Sequence, residues 1–102
     1  MCPEIVEYLE RIDATLAPFG GRFVVHGGAK DVLEGKWYGD LIMIAFRDRE
    51  TARNWYRSPA YQAILPLRTM HSVGDVILVD GVDDDHLATD VLSPAMRVVA
   101  MS

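Results

Sequence analysis

The chain has 102 residues, half of them hydrophobic and a quarter charged, with a formal net charge of −5. That length accommodates one domain with one core, and that composition excludes a disordered chain. Ten Lys and Arg scattered along a net-acidic chain exclude a phosphate-backbone partner, so nucleic acid is not an expected ligand. The single cysteine, Cys2, has no intrachain disulfide partner. No basic flank followed by an apolar run opens the chain, and no apolar stretch approaches the ~18 residues that cross a bilayer. A cytoplasmic protein with no membrane partner is the expectation.

Pro3 to Leu16 sets Ile5, Tyr8, Leu9, Ile12 and Leu16 at helical spacing, with Glu4, Glu7, Glu10, Arg11 and Asp13 on the remaining arc. This predicts an amphipathic helix, stopped at Pro18, with Gly20-Gly21 supplying a sharp exit. Because the helix begins almost at residue 1, no strand is expected before it. Arg22 to His26 reads as a short strand, Gly27-Gly28 allows a bulge or tight bend, and Lys30 to Glu34 continues in strand character. Gly35 to Gly39 turns the chain, with Trp37 and Tyr38 at the tip. Leu41 to Phe46 is apolar at every position, which predicts a central strand covered on both faces.

Asp48 can cap a helix whose face carries Ala52, Trp55 and Tyr56, and Ser58-Pro59 is a cap and first-turn pair that restarts it. Tyr61, Ile64 and Leu65 continue the stripe, Pro66 limits or kinks the end, and Arg68 is expected just beyond it. Asp75 to Asp80 is a second stretch apolar on both faces, ended by Gly81. Asp83 to Asp90 reads as a solvated acidic loop. Pro94 then precedes Met96 to Met101, six residues of strand character. The expected organisation is one domain over 1–82, followed by the acidic loop and a C-terminal strand over 83–102.

The order helix, strand, strand, helix, strand is α+β and reads as a split β-α-β unit without its first strand. The runs PFGGRFVVHGGAKDVLEG, LIMIAFRDRETARNWYRSPAYQ and LRTMHSVGDVILVDGV resemble the DUF1330 family, a domain of unknown function within the dimeric α/β-barrel superfamily. The resemblance implies a ferredoxin-like dimeric α/β barrel: an antiparallel sheet with two helices on one face, and the first strand central. Here that first strand is missing, and an unfilled slot would leave backbone groups unpaired at of order 1 kcal/mol or more each if buried. The expectation is that residues 96–101 fill it, as a circular permutation or as a swap into a partner subunit. The competing reading is a misplaced start with an unpaired tail. Two helices cover only one face, so strands apolar on both faces predict a homodimer with sheets packed face to face.

His26, before two glycines, is of a residue type suited to proton transfer. The resemblance puts Arg or His at this position, which favours a polar-ligand contact. Glu34 matches the family's Leu-Glu-Gly motif and is expected to pair with Arg68 or His26 across a cavity. His26, Glu34 and Arg68 are therefore the catalytic candidates, as proton shuttle, base or orienter, and anion anchor. Their competing roles are a strand-end hydrogen bond and an ordinary ion pair. Trp37, Tyr56 and Tyr61 are the ligand-binding candidates, Tyr61 lying in the family's Ser-Pro-x-Tyr motif, while Trp55 reads as core.

No metal site is expected, because His26, His71 and His86 lie far apart and none sits at a ligand spacing with Cys, Asp or Glu. No organic cofactor is expected either, since neither a GxGxxG nor a phosphate-loop motif is present. Heme, used in other superfamily branches, would need His71 as its axial ligand. The function expected is a homodimer binding a small organic or aromatic molecule, acting on it as a cofactor-independent isomerase, cyclase or monooxygenase. The alternative is a non-catalytic binding or accessory dimer whose polar residues are structural.

Overall fold

The computed structural model describes residues 2–92. Helix α1, Pro3–Leu16, buries Tyr8, Ile12, Thr15 and Leu16 on one face. Leu9, expected in that stripe, lies at its edge and is 38% exposed. A 3-10 turn over Ala17–Phe19 ends the helix at Pro18, and Gly20 turns the chain with a φ of 67°. A Cβ on Gly21 would meet the Phe46 ring at 2.6 Å and the Leu16 side chain at 2.7 Å, so any larger residue here would have to displace them.

Strand β1, Arg22–His26, pairs antiparallel with β2, Ile42–Ala45, setting Arg22 opposite Ala45 and His26 opposite Ile42. The bulge falls inside β1, between Phe23 and Val25, and not at the glycine pair. Gly27 instead leaves the strand with a φ of 81°, its N–H donating to the Leu41 carbonyl at 2.9 Å. Gly35 and Gly39, both at positive φ, bracket the expected turn.

Helix α2, Arg49–Arg57, starts at Asp48, whose carboxylate accepts from the Thr51 N–H at 2.7 Å. Ser58 then serves two helices. Its hydroxyl donates to the Trp55 carbonyl at 2.7 Å and accepts from the Tyr61 N–H at 3.2 Å, closing α2 and opening α3, Pro59–Thr69. Pro66 does not end α3, and Arg68 belongs to the helix's last turn, not to the chain beyond it. A proline this close to the end forfeits little, and its carbonyl still accepts from the Met70 N–H at 3.0 Å.

The core is the seam between α1 and the α2–α3 pair: Tyr8, Ile12 and Leu16 against Trp55, Tyr61 and Ile64. Phe23, Ile44 and Phe46 pack on it from the hairpin. The seam is polar at two points. The Trp55 indole N–H donates to Thr15 Oγ1 at 3.0 Å, and Thr15 donates in turn to the Ile12 carbonyl at 2.7 Å. The Tyr8 and Tyr61 hydroxyls share a hydrogen bond of 2.7 Å. Among the described residues no buried side-chain polar atom lacks a partner.

The chain is α+β, with a sheet of two strands among the described residues. Lys30 to Glu34 and Asp75 to Asp80 carry strand character without forming strands, because a strand exists only through a ladder partner and these segments have none among the described residues. Among the described residues β2 pairs with β1 alone and is not covered on both faces: Leu41, Ile42 and Met43 are 41%, 48% and 49% exposed. Met96 to Met101, and with them the permutation or swap, lie outside the described residues. The acidic run is a surface segment with a 3-10 turn at Ala88–Leu92.

Two outcomes are expected. Thr15→Val keeps the shape but strips the Trp55 indole of its acceptor, and lowers stability by about 1–3 kcal/mol. The denaturant midpoint should fall at constant slope, and an unchanged midpoint would remove the hydrogen bond from the core's energetics. At the α2 cap, the Thr51 hydrogen bonds, helped by Arg47, hold the Asp48 carboxyl below the usual range. Its contribution is thus present above the ordinary carboxylate pKa and lost as pH falls through the lowered one. Asp48→Asn should melt close to wild type in acid and below it at neutral pH, and a difference that does not change with pH would refute the charged cap.

Candidate functional site

Residues 25–41 fold into an open recess of about 540 Å³ beside the end of β1. Gly27 and Gly28 begin its floor, Val25, Val32 and Leu41 give apolar wall, and Lys30, Glu34 and Lys36 bring charge to it. Trp37 also lines it while remaining 52% exposed. Lys30 leans toward Asp40, Nζ to Oδ1 3.7 Å. An apolar wall with one indole and a few charges of both signs suits a flat organic molecule bearing a polar group.

Of the sequence candidates, Glu34 and Trp37 line this recess. His26 stands at its edge in the chain, just before Gly27, where its ring stacks on Phe23 with centroids 4.3 Å apart. Arg68, Tyr56 and Tyr61 lie elsewhere, in the helical seam. Tyr61 is 2% exposed, and its ring meets Trp55 at 4.0 Å and Tyr56 at 5.5 Å. The Arg68 guanidinium sits 5.8 Å above the Tyr8 ring, within the reach of a cation–π contact. No ion pair joins Glu34 to Arg68 or to His26 among the described residues.

Electrostatics in the seam follow from burial. Burial first, and then the hydrogen bond to Tyr61, push the Tyr8 phenol far above its ordinary value, and Arg68 offsets only part of this. Burial works against the Arg68 charge, but the Tyr61 and Tyr8 oxygens outweigh it and hold its proton more firmly. Tyr8 is therefore a neutral hydrogen-bonding group at neutral pH and has no capacity to act as a base.

A third grouping was not legible in the letters. Cys2, Glu4 and His71 present a sulfur, a carboxylate oxygen and an imidazole nitrogen within 4.8 Å of one another. The sequence gives no spacing signal for it, since His71 reaches the other two only because α3 runs back along α1.

The raised Tyr8 value carries a sign. Its contribution to stability is complete below the ordinary tyrosine pKa of about 10 and is lost as pH rises through the folded value. Wild type should lose stability above pH ~10 more steeply than Tyr8→Phe, measured by denaturant titration at several alkaline pH values. Parallel curves would mean that Tyr8 ionises as an exposed phenol does.

None of the curated proteins matches the chain. The family model described as Domain of unknown function (DUF1330) matches residues 2–82, which spans α1, the hairpin, α2, α3 and the apolar stretch after them. The chain belongs to the DUF1330 family.

Proposed function

We propose that this protein acts as a homodimer that binds a small organic molecule in the recess of residues 25–41. The observation that carries the reading is apolar surface left in water by a single chain. Val24, Ile42 and Met43 on the hairpin, and Val76, Ile77 and Val79 after α3, are all at least 48% exposed. Monomers rarely leave so many large apolar side chains unpaired with protein.

In this reading two copies form a ferredoxin-like dimeric barrel. Their sheets pack face to face, and Asp75 to Asp80 finds in the assembly the ladder partner that the described residues of one chain do not provide. The guest is a flat, polar-edged molecule: Trp37 supplies a stacking face, Glu34, Lys30 and Lys36 supply opposite charges, and His26 stands at the rim. The cytoplasm suits such a protein, whose one cysteine needs no oxidation.

Binding is favoured over catalysis by one observation. Within one chain Arg68 lies against Tyr8 in the seam and makes no ion pair with Glu34 among the described residues, which supports a binding role for the recess over a catalytic trio of His26, Glu34 and Arg68.

Size-exclusion chromatography with light scattering at micromolar concentration should give twice the chain mass of 11.4 kDa. Ile77→Asp should shift it to the monomer. A monodisperse wild-type monomer would end the dimer reading. Titration with aromatic carboxylates should quench Trp37 fluorescence, with Trp37→Phe reporting the buried Trp55 alone. Quenching that persists in Trp37→Phe would move the guest away from the recess.

A further inference from the structure

Three side chains outside the core meet where α1 begins and α3 ends. Cys2 precedes α1 and makes no capping hydrogen bond through its side chain, while Glu4 stands in the helix's first turn. His71 follows α3 by two residues, its N–H donating to the Arg68 carbonyl at 3.1 Å. Glu4 Oε1 and His71 Nε2 are 3.9 Å apart, and the Cys2 sulfur lies within 4.8 Å of both. All three belong to backbone that is already fixed. The Cys2 carbonyl accepts from the Val6 N–H at 3.2 Å, and the Tyr8–Tyr61 and Arg68–Tyr8 contacts one turn inward hold α1 against α3.

We propose that Cys2, Glu4 and His71 form a site for a zinc-type divalent cation. Thiolate with imidazole selects a borderline ion such as zinc over magnesium or calcium, which prefer oxygen alone. A zinc ion takes sulfur at about 2.3 Å and nitrogen or oxygen at about 2.0–2.2 Å. Ligand atoms around a tetrahedral ion therefore stand about 3.3–3.7 Å apart. Closing from the observed separations takes roughly 1 Å of movement, which side-chain rotation delivers. Glu4 and His71 are both partly exposed and have room for it.

On binding, the Cys2 S–H proton passes to solvent, and His71 coordinates through an unprotonated nitrogen. One thiolate and one carboxylate then balance the ion's two charges, and the neutral imidazole completes three protein ligands. The fourth position is left to water or to an outside donor, the arrangement of an open site and not of a closed structural one. The ion clamps the two helix ends that the core hydrogen bonds do not reach. An ion pair between Glu4 and His71 alone would account for two of the three groups and leave the convergence of Cys2 unexplained. The site rests on the helical seam alone and is independent of the proposed dimer and its guest.

Cobalt is the test probe, used on the reduced, untagged full chain. One Co²⁺ per chain should bind with a near-ultraviolet thiolate-to-metal band, which Zn²⁺ abolishes by displacement. Cys2→Ser should remove the band, and His71→Ala and Glu4→Gln should each weaken Zn²⁺ binding by about ten-fold or more. Zn²⁺ should also raise the melting temperature of wild type but not of His71→Ala. Circular dichroism checks that each variant is folded, and His26→Ala and His86→Ala should bind as wild type does. The proposal is overturned by absence of the thiolate band, by undiminished Zn²⁺ affinity in folded Cys2→Ser or His71→Ala, or by a loss that follows His26 or His86 instead.

Discussion

The antiparallel contact of α1 with α2 and α3 sets the register of everything else in the described chain. Two hydrogen bonds specify it, Thr15 to Trp55 near one end and Tyr8 to Tyr61 toward the other. Apolar packing alone tolerates a slide along the helix axis, but a slide of one turn, about 5.4 Å, would strand a buried indole N–H and two phenol hydroxyls together. The aromatic rings of Trp55, Tyr56 and Tyr61 then fill the space between the helices, with the Trp55 and Tyr61 centroids 4.0 Å apart. Arg68 over Tyr8 and the meeting of Glu4 with His71 are consequences of the same register, one and two turns further along.

Against this specified seam the sheet is underdetermined. A two-stranded hairpin is marginal unless something covers it, and the helices cover one side only, through Phe23, Ile44 and Phe46. Val24, Ile42 and Met43 in the same hairpin remain about half exposed. The segment after α3 repeats the problem with Val76 to Val79. Both regions have the composition of interior and the exposure of surface.

The groups capable of chemistry fall into three separate places, each set by a different constraint. Glu34, Trp37 and the lysines belong to a glycine-bounded excursion between β1 and β2 and take their position from turn geometry. Tyr8, Tyr61 and Arg68 belong to the helical core, where burial keeps the phenol of Tyr8 protonated and removes Tyr61 from any role as a ligand wall. Cys2, Glu4 and His71 sit where the two helix ends coincide. The sequence motif that includes Tyr61 is thus explained by folding: Ser58 caps, Pro59 starts the helix, and Tyr61 fills the core.

Sequence by itself determined the local elements: α1 and its stop at Pro18, the hairpin strands, the Asp48 and Ser58 caps, the glycine-bounded turn and the buried Trp55. Each of these is decided by residues within a turn or two of one another, through capping hydrogen bonds, helical spacing and the φ values open to glycine. Family membership was legible for the same reason, since the motifs that carry it are those local signals. Tertiary structure alone decided which of the apolar stretches acquire a ladder, that Arg68 faces Tyr8 and not Glu34, and that Cys2 and Glu4 meet His71. Those outcomes join residues dozens of positions apart, and nothing in a one-dimensional pattern encodes the angle and offset at which two helices settle once their side chains interlock.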